Sequence, residues 1–415
     1  MRAMLDVQRA RRAFPGLESD GVFFDAAGGS QLLGAALEAI TLYARTSFVQ
    51  LGASYAASRL ASERVAAGRA AMAELMGAGA PSELVLGPST TQLLANLALA
   101  CAPSLGPGDE LIVTELDHES NIGPWRRVAA LRGATVRTWT IDRASVESGG
   151  PALSLAALDE LLSPRTRVVA VTQCSNVLGA LVPVAEIAGR VRAAGARLVV
   201  DGVAYAPHRL MDVRASGADA YVFSNYKVYG PHVATLWVSP EWAAQLGSIN
   251  HDFLGEALPY KLEPGGASHE LVAALPAVRD YLAGHGEGAE QASVRARLAL
   301  GFERVAAHEE TLSRRLLEFL AQRPGVRVVG PTSADRRVRV PTVSFVVEGR
   351  ASAQLVAAVD PSGVCVRYGD FYARRLVDAL GLRAQGGVVR ASMAHYATLG
   401  EVDRLIAALD VAIPR

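Results

Sequence analysis

From residue 84 to 240, short runs of apolar and β-branched residues alternate with stretches of helical period. LIVTELD (111–117) precedes a predicted helix from Asn121, and VRTWTI (136–141) precedes one near Ser154. RVVAVTQCS (167–175) precedes a helix from Val184, and RLVVD (197–201), AYVFS (220–224) and ATLWV (234–238) follow. These runs are near-continuously apolar. A strand with one buried face alternates with period two, whereas one covered on both faces does not, so the pattern predicts a mainly parallel sheet between helical layers. A doubly wound sheet of this kind binds its ligand at the carboxyl ends of its strands. Asp117-His118, Ser175-Asn176, Asp201 and Ser224-Lys227 all fall at such ends.

Beyond residue 285 the pattern changes. One long helix is predicted over 288–323. Strands TVSFVV (342–347), VCVRYG (364–369) and VVRASM (388–393) then alternate with helices at 351–359, 371–380 and 399–412. This reads as a smaller α/β domain. The Gly- and Pro-containing stretch 254–285 holds the boundary. The expected division is a large domain over 24–265, a small domain from 1–23 and 285–415, and a connection over 266–284.

Composition narrows the function classes. The 41 basic and 41 acidic residues cancel, so no net field favours nucleic acid or an anionic membrane. The amino-terminal MRAMLDVQRARRAF lacks the apolar stretch of a signal peptide, and no apolar run reaches the length of a membrane span. Cys101, Cys174 and Cys365 are too few and too scattered for a disulfide framework or a zinc site. A cytoplasmic protein without a metal is expected. Only Lys227 and Lys261 are lysines; every other basic residue is arginine. A lysine can lose its proton and act as an amine nucleophile, and an arginine effectively cannot.

Each candidate has an ordinary reading beside the chemical one. Asp201, ending LVVD, could cap a turn. Ser89-Thr90-Thr91 opens a helical stretch and could simply cap it. The same hydroxyls and free N–H groups also suit a phosphate. His118 could be structural or could lie against a flat cofactor. No GxxxxGK[ST] or GxGxxG motif supports a nucleotide. Together, an acid for a pyridine nitrogen, an amine for an imine and a hydroxyl-rich helix start are what pyridoxal phosphate requires.

Seven segments, in order, carry a family resemblance: FFDAAGG (23–29), GPSTT (87–91), DHESNIGPW (117–125), SNVLGALVPV (175–184), VVDGVAYAPH (199–208), SNYKVYGPH (224–232) and VVRASMAHYATLGEVDRL (388–405). The chain resembles the cysteine desulfurase-like group of class V aminotransferases, a fold type I family of pyridoxal-phosphate enzymes. The resemblance implies Lys227 as the Schiff-base lysine, Asp201 as partner of the pyridine nitrogen and His118 as the ring-stacking residue, these three being the catalytic set. Thr90, Thr91, Ser224 and Tyr226 are implied in cofactor binding, with Asn176 beside cofactor and substrate. Arg390, with Arg367, is implied to take the substrate carboxylate, which suits a guanidinium fork. A homodimer is implied too.

The departures from the family pattern are specific. Tyr372 stands where the persulfide-forming desulfurases carry a loop cysteine. Tyr226 replaces the histidine before the lysine, Ala204 replaces the side chain that meets the ring hydroxyl, and Gly266 replaces a threonine that reaches the partner's phosphate. The expected chemistry begins with loss of the Cα proton of an amino acid. C–S cleavage of cysteine or an S-conjugate by β-elimination is the first expectation. Transamination, epimerisation or decarboxylation of another amino acid is the second, and a degenerate cofactor-binding regulator the third.

Overall fold

The computed structural model describes residues 4–286, 288 and 291–413. Thirteen strands are found among them. β1 is Val22–Phe23, β2 Leu84–Gly87, β3 Glu110–Thr114, β4 Thr135–Trp139 and β5 Thr166–Thr172. β6 is Arg197–Asp201, β7 Ala220–Ser224 and β8 Ala234–Val238. The later strands are β9 Val326–Val329, β10 Thr342–Val347, β11 Val364–Cys365, β12 Arg367–Gly369 and β13 Val388–Ser392.

The large sheet has the order β2-β8-β7-β6-β5-β3-β4. Only β8 runs against its neighbours, being antiparallel to both β2 and β7. Its reversal leaves β2 pointing the same way as β3 to β7. The carboxyl ends of six strands therefore share one edge, and the site is built there. Alternate residues of each strand feed two cores: Ile112, Val169, Val171, Leu198 and Val200 on one face, and Leu111, Val113, Val168, Ala170 and Val199 on the other. Both faces are covered, which explains the continuous apolar runs. At roughly 1.5–3 kcal/mol for each large aliphatic side chain buried, this double layer fixes the edge firmly.

The small sheet, β12-β13-β10-β9, is antiparallel throughout. It packs with the helices Val294–Ala321 and Leu399–Ala412 around a third core. The long helix expected over 288–323 is thus Val294–Ala321; residues 289 and 290 of that expectation lie outside the described residues. The expected single strand 364–369 is two. β11 pairs in parallel with β1, while β12 pairs with β13, because the chain leaves one sheet for the other at buried Val366. The helix expected over 371–380 starts only at Arg374. Phe371 and Tyr372 precede it with φ of 51° and 59°, a left-handed conformation that no helix accommodates. The helix expected from Asn121 starts at Gly123, after a short 3₁₀ turn at Glu119–Asn121. The stretch 266–284 is largely helical: His269–Val272 and Leu275–Gly284 pack against the helix Ala56–Met76.

Candidate active site

Five of the six strand ends, all but that of β4, deliver parts of a cleft of about 490 Å³, counting its open mouth. Ser89, Thr90, Thr91, His118, Asn176, Asp201, Ser224, Tyr226 and Lys227 line it, with Ser120, Cys174 and Ala204. After β2 the chain turns into the helix Thr90–Cys101, whose Ser89 cap accepts from the Gln92 N–H at 3.1 Å. Thr90 Oγ1 lies 2.6 Å from Ser224 Oγ, at the end of β7. Two buried hydroxyls and a helix start thereby converge across the width of β8. This is a cradle for a dianionic phosphate.

Lys227 follows β7 in a 3₁₀ turn. Burial, and then the charge of Arg390, lower its pKa to about 8. Its Nζ stands 5.8 Å from the Tyr226 ring centre, and that ring stacks on His232 at 4.7 Å. The turn is braced by Ser30, the residue after FFDAAGG: its Oγ donates to the Tyr226 carbonyl at 3.0 Å and accepts from the Tyr229 N–H at 2.8 Å. Asp201 ends β6 at 3 % exposure, accepting from the Val203 N–H at 2.9 Å. Burial raises its pKa to about 6, opposed by that hydrogen bond and by Lys227. Gly202 beside it is needed because any Cβ there would run into the Tyr221 ring.

His118 caps its 3₁₀ turn through Nδ1, which accepts from the Ser120 N–H at 3.1 Å. The ring proton therefore sits on Nε2. Burial and the charges of Lys227 and Arg390 lower the His118 pKa to about 4, so the ring is neutral at physiological pH. Asp117 before it is buried and pushed up to about 7 by that burial, opposed by hydrogen bonds from Thr114 and from Asn121.

Arg390 and Arg367 are not among the cleft-lining residues. They stand beside it, reached through Asn176, whose carbonyl accepts from Arg390 Nη1 at 3.1 Å. Arg390 Nη2 pairs with Asp25 Oδ1 at 2.9 Å, and Arg367 Nη1 with Asp25 Oδ2 at 3.2 Å. The Phe371 ring covers Arg390, 3.7 Å from the guanidinium carbon. Three features escaped the sequence reading: Asp25 between the arginines, Phe371 on Arg390, and the anchoring of residues 371–372. Asn176 Nδ2 donates to the Phe371 carbonyl at 2.9 Å, and the Glu119 N–H to the Tyr372 carbonyl at 2.8 Å. Glu119 also pairs with Arg375 at 3.0 Å. FFDAAGG and the 367–373 segment are visible as motifs, but contacts between separated segments, 195 residues apart for Asn176 and Phe371 and 342 for Asp25 and Arg367, leave no local signal.

The donor set fits pyridoxal phosphate. A phosphate cradle, a flat neutral imidazole, a buried acid and an amine of lowered pKa surround one cleft. The lysine ammonium has no hydrogen-bond or ion-pair partner among the described residues. Doubly wound sheet and site together define a fold type I pyridoxal-phosphate enzyme.

Comparison with known proteins agrees. The family model described as Aminotransferase class-V matches residues 22–405. The aminotransferase-like protein FGM3 of Gibberella zeae is 44% identical over 414 residues, covering 98% of each chain. The cysteine desulfurase-like protein ustD of Aspergillus flavus is 32% identical, over 99% of this chain and 92% of that one. The cysteine desulfurase CsdA of Escherichia coli, in its S-sulfonic acid form, superposes with a TM-score of 0.83 at 27% identity, covering 99% of both chains. This chain belongs to the class V aminotransferase family, in its cysteine desulfurase-like branch, and is a pyridoxal-phosphate-dependent enzyme.

Proposed function

We propose that the enzyme cleaves the Cβ–S bond of cysteine or a cysteine S-conjugate by β-elimination, without passing sulfur to a cysteine of its own. One observation carries the reading: Tyr372 stands at the loop position of the acceptor cysteine, its carbonyl tied to Glu119, beside Phe371 tied to Asn176. A phenol cannot accept sulfur from a thiol, and a loop tied at consecutive residues is a poor carrier. Cys174 reaches the cleft but is fully buried, and burial pushes its thiol up to about 12, so little thiolate exists to attack sulfur.

In this reading Lys227 Nζ takes the Cα proton, and Asp201, ionised above about pH 6, keeps a proton on the pyridine nitrogen. The bound cofactor supplies a sink for the electron pair left at Cα. Asn176, Arg390 and Arg367 hold the carboxylate, and His118 lies against the ring. Cα–H and Cβ–S break, the thiolate leaves and is protonated, and the remaining carbon skeleton hydrolyses to pyruvate and ammonia. A second reading, amino transfer to or from another amino acid, takes its support from the aminotransferase-like name of the 44% identical relative. Incubation with a panel of amino acids and S-conjugates tests both. Pyruvate with an equal yield of thiol or sulfide supports elimination; a keto acid retaining its side chain favours the second reading and overturns the first. We also infer a homodimer. Exposed Phe48, Tyr55, Phe253 and Tyr260 are apolar surface of the kind that interfaces cover. A monomer mass by light scattering would refute it.

A further inference from the structure

Asp25 is the least expected residue at the site. Its backbone is fixed by neighbours that do not depend on its side chain: the Ala26 N–H donates to the Ser392 carbonyl at 3.1 Å, and the Ala27 N–H to Ser392 Oγ at 2.9 Å. Its carboxylate faces two guanidinium groups, one oxygen to each. Gly28 leaves room for this arrangement. A Cβ there would come within 2.9 Å of Asp25 Oδ2 and 3.1 Å of Arg367 Nη1. Arg390 is 1 % exposed and held at three points: Nη2 by Asp25, Nη1 by the Asn176 carbonyl, and one face by Phe371. Its Nε is buried and has no acceptor.

The charges do not balance. Two arginines face one carboxylate, so the cluster has one uncompensated positive charge and one unfilled buried donor. Both deficits are met by a single incoming carboxylate. A guanidinium on a flexible stem has several orientations available, and the one that leaves Nε free is selected by what holds the other nitrogens. We infer that Asp25 is a positioning residue for the substrate carboxylate, orienting Arg390 and Arg367 so that the free Nε edge of Arg390 receives it. The inference rests on the reading of Arg390 as the carboxylate-binding residue. Asp25 does not line the cofactor cleft; its charge also raises the Lys227 pKa, an effect that acts on every amine ligand alike and cancels when two ligands are compared.

The test compares two ligands that differ only in that group, cysteine and cysteamine, on the holoenzyme. Binding is read from the change in visible cofactor absorbance, and the carboxylate advantage is the ratio of the two dissociation constants. Arg390→Lys reports on the underlying reading and is expected to cut that advantage by about a hundredfold, the worth of a charge-assisted pair. Asp25→Asn keeps size and removes charge. It is expected to cut the advantage by about tenfold or more, the change falling on cysteine beyond any change the two ligands share through Lys227. If Arg390→Lys leaves the advantage intact, the carboxylate reading itself fails. If Arg390→Lys removes it while Asp25→Asn does not, or weakens both ligands equally, Asp25 has no positioning role. An advantage that grows in Asp25→Asn also overturns the proposal, since Asp25 would then compete with the substrate. Gly28→Ala displaces the carboxylate without removing it and should act in the same direction if Asp25→Asn does not fold.

Discussion

Lys227 and Lys261 differ in what surrounds them. Lys261 Nζ donates to the Ala243 carbonyl at 2.9 Å and lies 3.4 Å from Glu256, so its charge is satisfied. Lys227 is buried beside Arg390, and its amine pKa falls to about 8. A lowered lysine pKa means that the neutral, nucleophilic amine appears at lower pH. At pH 8 about half of Lys227 is neutral, against about 0.3% of an ordinary lysine. The rate at which apoenzyme captures pyridoxal phosphate should therefore climb from pH 6 and level off above a midpoint near 8. A midpoint near 10 would mean that the site does not perturb the lysine. Borohydride should then fix the cofactor on Lys227 in peptide mapping, and an adduct on Lys261 would contradict the assignment. Asp201 makes the complementary case. Asp201→Asn should keep its cofactor yet lose about a thousandfold in turnover, or about 4 kcal/mol, because an amide cannot hold the pyridine nitrogen protonated. A near-wild-type rate would remove Asp201 from the mechanism.

At the scale of elements, what matters is how loops are held rather than where strands run. The Asn176 loop follows β5 and is gripped by the segment that leads into β10: the Leu181 N–H donates to the Val338 carbonyl at 3.0 Å, and the Val340 N–H to the Gly179 carbonyl at 2.9 Å. Asn176 in turn holds Phe371 and Arg390, so this arginine, the cleft and the 370–373 turn form one connected unit. The left-handed backbone of Phe371 and Tyr372 is unfavourable by about 1 kcal/mol per residue. It is held in place by the bonds from Asn176 and Glu119 to their carbonyls and by the Tyr372 N–H donating to Asp370 Oδ1 at 3.0 Å. The sequence showed that a cysteine is missing here. It could not show that the backbone is left-handed rather than helical at Phe371 and Tyr372, because left-handed φ at aromatic residues has no sequence signature.

At the scale of the whole molecule, the three cysteines are dispersed by the fold. Cys101 and Cys174 are buried in or beside the large-sheet layers, and Cys365 lies in β11. Burial raises the pKa of all three thiols. Replacing all three with serine or alanine should leave turnover within about twofold, with some stability lost from packing. Enzyme trapped with an alkylating reagent during turnover should carry no persulfide by intact mass. A stoichiometric persulfide on Cys174 or Cys365, with activity lost in the matching variant, would replace the elimination reading with a relocated sulfur acceptor.

Several features of this protein follow from its sequence alone. Continuous apolar runs specify strands covered on both faces, and punctuated runs place Asp201, Ser224 and Lys227 at their ends. Both signals are local, because burial of a strand's two faces and the end of a strand are written in consecutive residues. The motif order then identifies the family. The tertiary structure decided what depends on separated segments meeting. The reversal of β8 brings Thr90 to Ser224, residues 134 positions apart. The pairing of β1 with β11 and the bridge from Asp25 to Ser392 carry the Asp25 carboxylate between two arginines more than 340 residues away. Side-chain charge and size can be read from a sequence, but the burial that moves Lys227 to about 8 and Asp201 to about 6 is a property of the assembled cleft.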